Sequence, residues 1–249
     1  MLLENKNAVI YGAGGGIGGA MARSFAAEGA RLFLTGRTRE KLDALAGEIG
    51  AAGGTAEVAE FDALDKQAVD EHADAVAAQG GLHISFNLIA HPANHGTPMV
   101  EMDVDEYLQP VETAVRSNFL TIAAAARHMK EQGGGVILFF GGSGDPVRDY
   151  YLGGTQVAFE ALESMRRQLS AELGKDGIRA VTLRTGGVPD SVPDFEGRDA
   201  IVEGIVGETM LGRAATFEDI GNAAVFAASD RGRIMTAATV NVSAGALVD

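Results

Sequence analysis

Residues able to do chemistry gather in three places along this chain. The first is Gly12-Ala13-Gly14-Gly15-Gly16-Ile17-Gly18, directly after the apolar run at 8–11. Gly12 lets the backbone turn sharply off a strand. Gly16 and Gly18 carry no side chain, so phosphates and a neighbouring strand can come close. A helix starting here offers free N–H groups and its positive dipole end to a pyrophosphate. Glycines alone also make a flexible turn; a strand before and a helix after them point to a nucleotide. The second place is Arg37, just past the apolar run 31–35. An acidic residue there would accept hydrogen bonds from free ribose hydroxyls, whereas arginine pairs with a 2′-phosphate. The competing reading is a solvated loop arginine. The third place holds His91, His95 and the phenols Tyr150 and Tyr151. Four-residue spacing suits a metal pair on a helix, but Pro92 makes this a loop and no third ligand accompanies it. No metal is expected.

The periodicity supplies elements to position these residues. Strands are predicted at 8–11, 31–35, 56–61, 84–90, 136–140, 178–183 and 239–242. Helices are predicted at 18–28, 39–49, 65–78, 105–129 and 217–229. Another runs to 173 after a loop from 141 to about 153. Pro110 lies near the start of the fourth helix, where proline is best tolerated. Residues 188–210 read as a long loop with one short helix. Strands separated by helices imply an α/β fold with a parallel sheet covered on both faces. No linker-like run divides the 249 residues, so one domain over 1–249 is expected.

Composition narrows the function. The net charge is −14 and the pI about 4.7, which argues against a phosphate-backbone partner and hence against nucleic-acid binding. Cysteine is absent, which removes disulfides and thiolate metal sites and fits a cytoplasmic location. The N-terminus is short and polar, unlike a signal peptide, and no apolar run approaches the roughly 20 residues of a membrane helix.

The chain resembles the classical short-chain dehydrogenases/reductases. Residues 12–18 match that family's TGxxxGIG, with Tyr11 for Thr. Leu34-Thr35-Gly36-Arg37 matches the end of its second strand, and Phe61-Asp62-Ala63 carries its adenine-site aspartate. Asn87-Leu88-Ile89-Ala90 stands where NNAG is expected. Thr185-Gly186 stands for its proline-glycine pair, and 212–230 match its C-terminal pattern. The resemblance implies a Rossmann-like doubly wound sheet, a nicotinamide cofactor and a small-molecule substrate. It assigns cofactor contacts to Gly12, Gly16, Ile17, Gly18, Arg37, Asp62, Ala63, Asn87, Ala90 and Gly186. Arg37 selects NADP(H). It further implies a homo-oligomer, a tetramer paired through the helices at 105–129 and 155–173 and the last strand.

The same resemblance calls for a catalytic Asn, Ser, Tyr and Lys, and here the chain departs from it. Gly177-Ile178-Arg179 and Thr185-Gly186 pin the register. Counting back places Thr155 at the Tyr position, Phe159 at the Lys position, Gly142 at the Ser position and Ala114 at the Asn position. A second register, needing a three-residue insertion, substitutes Leu152 and Gln156 and restores nothing. Tyr151 is followed four residues later by Thr155, not by lysine. The remaining proton-transfer candidates are Tyr151, then Tyr150, with Thr155 offering a hydroxyl far less acidic than a lysine-assisted phenol. Packing is the more ordinary use for each: on the sheet for Thr155, at the surface or a subunit interface for either tyrosine. Ser143 follows the Ser position by one residue, and Asn118 lies one helical turn beyond Ala114. His91 is a candidate substrate contact.

Three functions fit these residues. One is a non-canonical NADP(H)-dependent oxidoreductase acting on an activated C=C, C=N or carbonyl group. The others are a non-redox cyclase or isomerase, and a catalytically silent nucleotide-binding protein. The loop at 186–210, with Asp190, Asp194 and Glu196, is expected to form a lid that offers little to an anionic substrate.

Overall fold

A computed structural model describes residues 1–92, 95–142 and 151–248. Seven parallel strands form its centre: β1 Asn7–Tyr11, β2 Arg31–Gly36, β3 Thr55–Glu60, β4 Ile84–Asn87, β5 Gly135–Gly141, β6 Ile178–Arg184 and β7 Ala238–Asn241. Their order is β3-β2-β1-β4-β5-β6-β7. The chain winds outward from β1 in one direction and then from β4 in the other. The crevice between those two strands is where such sheets receive ligands.

The described residues form the α-helices α1 Gly16–Ala27, α2 Arg39–Ala51, α3 Lys66–Ala77, α4 Val104–Gln132, α5 Thr155–Leu173, α6 Arg198–Gly207 and α7 Phe217–Ala228, all but α6 packed on the sheet. On one face Met21 and Phe25 of α1, Leu42 and Leu45 of α2 and Ile220 of α7 pack on Ile10, Leu32 and Leu34. On the other, Val69 of α3, Ala124 and Ala125 of α4 and Leu162 of α5 pack on Val9, Phe33, Ile137 and Phe139. Strand residues of alternate parity feed the two cores, as the two-residue period of a strand requires. This is the doubly wound α/β fold expected from the sequence.

Three elements differ from expectation. β4 stops at Asn87 rather than 90, because the Asn87 Oδ1 accepts the Ile89 N–H at 3.1 Å and ends the strand with a local turn. α1 begins at Gly16, two residues early, so the turn hydrogen bonds outweigh the poor helix propensity of glycine. Pro110 lies inside α4 rather than in its first turn. The N-terminus of α5 crosses there, and a Cβ on Gly154 would come within 1.9 Å of the Tyr107 carbonyl oxygen. The 188–210 segment holds the ten-residue α6, which has no buried residue. Arg198 ties it back by donating to the carbonyls of Val192 and Pro189.

Candidate active site

The glycine turn leaves β1 at the centre of the sheet. Gly12 adopts φ +77°, and a Cβ there would lie 2.6 Å from the Leu88 carbonyl oxygen. Only glycine serves at such a backbone position without strain. The Thr35 carbonyl accepts from both Gly12 and Ala13 at 3.0 Å, and Gly15 N–H closes onto the Gly12 carbonyl. Gly18 is equally constrained, since its Cβ would lie 2.2 Å from the Gly12 oxygen. Gly16 opens α1, which has Gly15 as N-cap, no side-chain cap and no acidic residue in its first turn. The first N–H groups of α1, at Gly16, Ile17 and Gly18, therefore face the crevice with the positive end of the helix dipole.

Strand register brings the remaining cofactor candidates to the same edge. Tyr11 lies beside Thr35 on β2 and Asn87 on β4. Gly36 lies beside Glu60, and its carbonyl accepts the Phe61 N–H at 3.1 Å. Arg37 and Asp62 thus follow adjacent strand ends. Arg37 is exposed. The exposed Asp62 accepts the Leu64 N–H at 3.0 Å, and Ala63 is buried. Asn87 is buried, and its Nδ2 donates to Thr121 Oγ1 at 3.2 Å. Ala90 is exposed beyond it. Gly186 is half-buried at the end of β6, where a Cβ would lie 3.1 Å from Ala246 Cβ. Neighbouring Thr185 donates to the Gly141 carbonyl, which puts the ends of β5 and β6 together. These residues bring a glycine turn at a helix start and an exposed arginine to one end of the sheet.

The proton-transfer candidates sit less favourably. Tyr150 and Ser143 lie outside the described residues. Tyr151 is 46% exposed, so its phenol retains access to solvent. Its carbonyl accepts the Gly96 N–H, joining the start of α5 to the loop after β4. Thr155 opens α5 and is buried, with Oγ1 unbonded among the described residues. Ala114 is fully buried. Asn118 is buried as well and donates to the Ala114 carbonyl at 3.0 Å, a helix-internal bond.

Sequence reasoning missed a contact between two of these places. The Phe159 ring lies over Gly142, where a Cβ would be 2.7 Å from Phe159 Cε2. His91 meets the same ring edge-on, with centroids 6.1 Å apart and planes at 62°. Burial lowers the pKa of His91, which favours the neutral imidazole. His91 Nδ1 is also buried without a partner among the described residues. The available signal was that the sequence register sets Gly142 and Phe159 at two positions expected to work together. No cluster of three metal-ligating side chains occurs among the described residues.

A family model described as Enoyl-(Acyl carrier protein) reductase matches residues 12–246. The chain belongs to the short-chain dehydrogenase/reductase family of oxidoreductases. It is 28% identical over 251 residues to the 7alpha-hydroxysteroid dehydrogenase of Clostridium sardiniense, covering 98% of this chain and 94% of that one. It is 32% identical over 264 residues to the L-rhamnose 1-dehydrogenase (NAD(P)(+)) of Azotobacter vinelandii, covering 100% and 99%. Among solved structures, it resembles a gluconate 5-dehydrogenase from Burkholderia cenocepacia in complex with NADP and tartrate. That match has TM-score 0.87 and 25% identity, covering 98% of this chain and 96% of the other. Among the described residues, no helix is long and apolar enough to cross a membrane.

Proposed function

We propose that this protein is an NADP(H)-dependent oxidoreductase that works without the Asn, Ser, Tyr and Lys of its family. It acts on a small molecule with an activated C=C, C=N or carbonyl group. The observation that carries the reading is the Gly12–Gly18 turn at the uncapped start of α1, with Arg37 exposed one strand away. The diphosphate is held by the N–H groups of Gly16, Ile17 and Gly18. Arg37 pairs with the 2′-phosphate. Asp62 and Ala63 flank the adenine, and Asn87, Ala90 and Gly186 line the nicotinamide half. When bound, the cofactor supplies or accepts a hydride. The segment 188–210 covers the substrate, anchored where Asp190 accepts the Phe217 N–H at 2.8 Å.

An activated substrate suits the residues that replace the tetrad. Phe159 presents no ammonium to lower a phenol's pKa, and Gly142 presents no hydroxyl to a carbonyl. A conjugated acceptor spreads the charge left on it, so it asks less of a general acid. Tyr151 is the first choice as proton donor, being solvent-accessible and one turn before α5. Tyr150 is second, and the Thr155 hydroxyl third. A single domain over 1–249 in a reducing, cytoplasmic setting fits the cysteine-free sequence. A homotetramer is supported by the groove between α4 and α5, about 740 Å³, lined by Phe119, Ile122, Met165 and Leu169. Calorimetric titration with NADPH and NADH tests the reading. Tighter NADPH binding is expected; failure of both nucleotides to bind would refute it.

A further inference from the structure

Among the buried polar atoms bonded to nothing among the described residues are His91 Nδ1 and Thr155 Oγ1, both near the carboxyl end of the sheet. Such atoms are costly to leave unpaired and call for a partner, which a water, an ion or a ligand atom can supply. Both adjoin one aromatic surface. Thr155 and Phe159 are four residues apart on α5 and so share a face. His91 packs edge-on against Phe159. The Phe159 ring fills the space above Gly142 that any side chain there would need. Both rings are half-buried and keep accessible surface. None of the four residues carries a fixed charge, so among the described residues the surface is aromatic and neutral, with polar atoms at its margin.

We propose that His91, Phe159 and Thr155 form a binding subsite for a flat, uncharged, conjugated carbonyl compound of the quinone class. Its ring lies against Phe159. Its oxygen accepts hydrogen bonds from Thr155 Oγ1 and from the Nδ1–H tautomer of His91. Aromatic rings gain from offset or edge-on contact beyond simple burial. Burial of His91 supports a neutral donor rather than a cation, which suits an uncharged oxygen. Among the described residues, an anionic or aliphatic substrate would find neither a counter-charge nor a matching surface at these side chains. The choice of a reducible ring rests on the proposed oxidoreductase function; the aromatic subsite rests on geometry alone.

The probe is 1,4-naphthoquinone, added to the full chain with and without NADP while the ¹⁵N-labelled histidine side chains are followed by NMR. The chain has no cysteine, so no thiol can capture the quinone. The His91 signals, identified by their loss in His91→Gln, should shift and saturate in at least one of the two conditions. Phe159→Leu should weaken binding by about tenfold. Calorimetry should show a smaller but clear weakening in His91→Gln and Thr155→Val, variants that leave Phe159 in place should it prove essential for folding. Cyclohexanone should leave the His91 signals unmoved. Unmoved His91 signals with naphthoquinone in both conditions would overturn the proposal. So would equal affinity in all three variants, or equal binding of cyclohexanone. Loss of NADPH binding in a separate titration, with naphthoquinone binding intact, would instead remove the oxidoreductase reading and leave the subsite.

Discussion

Arg37 stands exposed where β2 hands over to α2. Its proposed partner is a 2′-phosphate, so Arg37→Ala should weaken NADPH and leave NADH nearly unchanged. A charge-assisted hydrogen bond contributes about 1.5–3 kcal/mol, which predicts roughly a tenfold to hundredfold rise in the NADPH dissociation constant. Titration of both nucleotides into both proteins measures it; equal NADPH affinity would remove Arg37 from the site. Gly12 is a stricter case. Its φ of +77° and the 2.6 Å approach of a Cβ to the Leu88 oxygen leave no room for alanine. Gly12→Ala should lose stability and nucleotide binding together, read as a lower urea midpoint and a weaker NADPH titration.

Among the elements, α5 is the one tied most deliberately to the sheet. Its Glu163 accepts from Arg166 Nη2 at 2.7 Å, from Thr239 Oγ1 on β7 at 3.0 Å and from Thr182 Oγ1 on β6. Burial opposes the Glu163 charge, but these hydrogen bonds outweigh it and hold the carboxyl below the usual glutamate range. A folded-state pKa below the unfolded one means the contribution is complete above about pH 4.3 and is lost as pH falls through the depressed value. Glu163→Gln should cost roughly 3 kcal/mol at neutral pH by stranding the buried Arg166. It should also flatten the acid side of the stability curve, as urea unfolding at stepped pH would record. One turn earlier, α5 carries Phe159 over Gly142. Gly142→Ser should destabilise by about 1–3 kcal/mol through overpacking, and most of that loss should vanish in a Phe159→Ala background. An unchanged penalty there would show that the ring is not the obstacle. The strands and helices were legible in the sequence because apolar periodicity fixes which face is buried. The placement of Gly12, Arg37 and Asp62 just past strand ends was legible too. The end of β4 was not, because a side-chain bond from Asn87 overrides the apolar run behind it. The Phe159–Gly142–His91 contact was not either, because it joins residues far apart in the chain and depends on one ring's rotamer.

At the scale of the whole molecule, the sheet order places every cofactor candidate on one edge, with α4 and α5 together on one face. Phe119 on α4 is 62% exposed beside the α4–α5 groove. A large exposed aromatic beside an apolar groove suits association with a second copy. Light scattering should report a tetramer, and Phe119→Glu should shift it toward smaller species at micromolar concentration. A stable native monomer would contradict the assembly. The central claim is that hydride chemistry here proceeds without the family's proton machinery. The most direct measurement is the rate of NADPH oxidation, followed by absorbance, with 1,4-naphthoquinone against cyclohexanone. The account predicts turnover of the conjugated acceptor at least about 10²-fold faster than the plain ketone, the lower end of what a general acid contributes. Brisk reduction of cyclohexanone would contradict it.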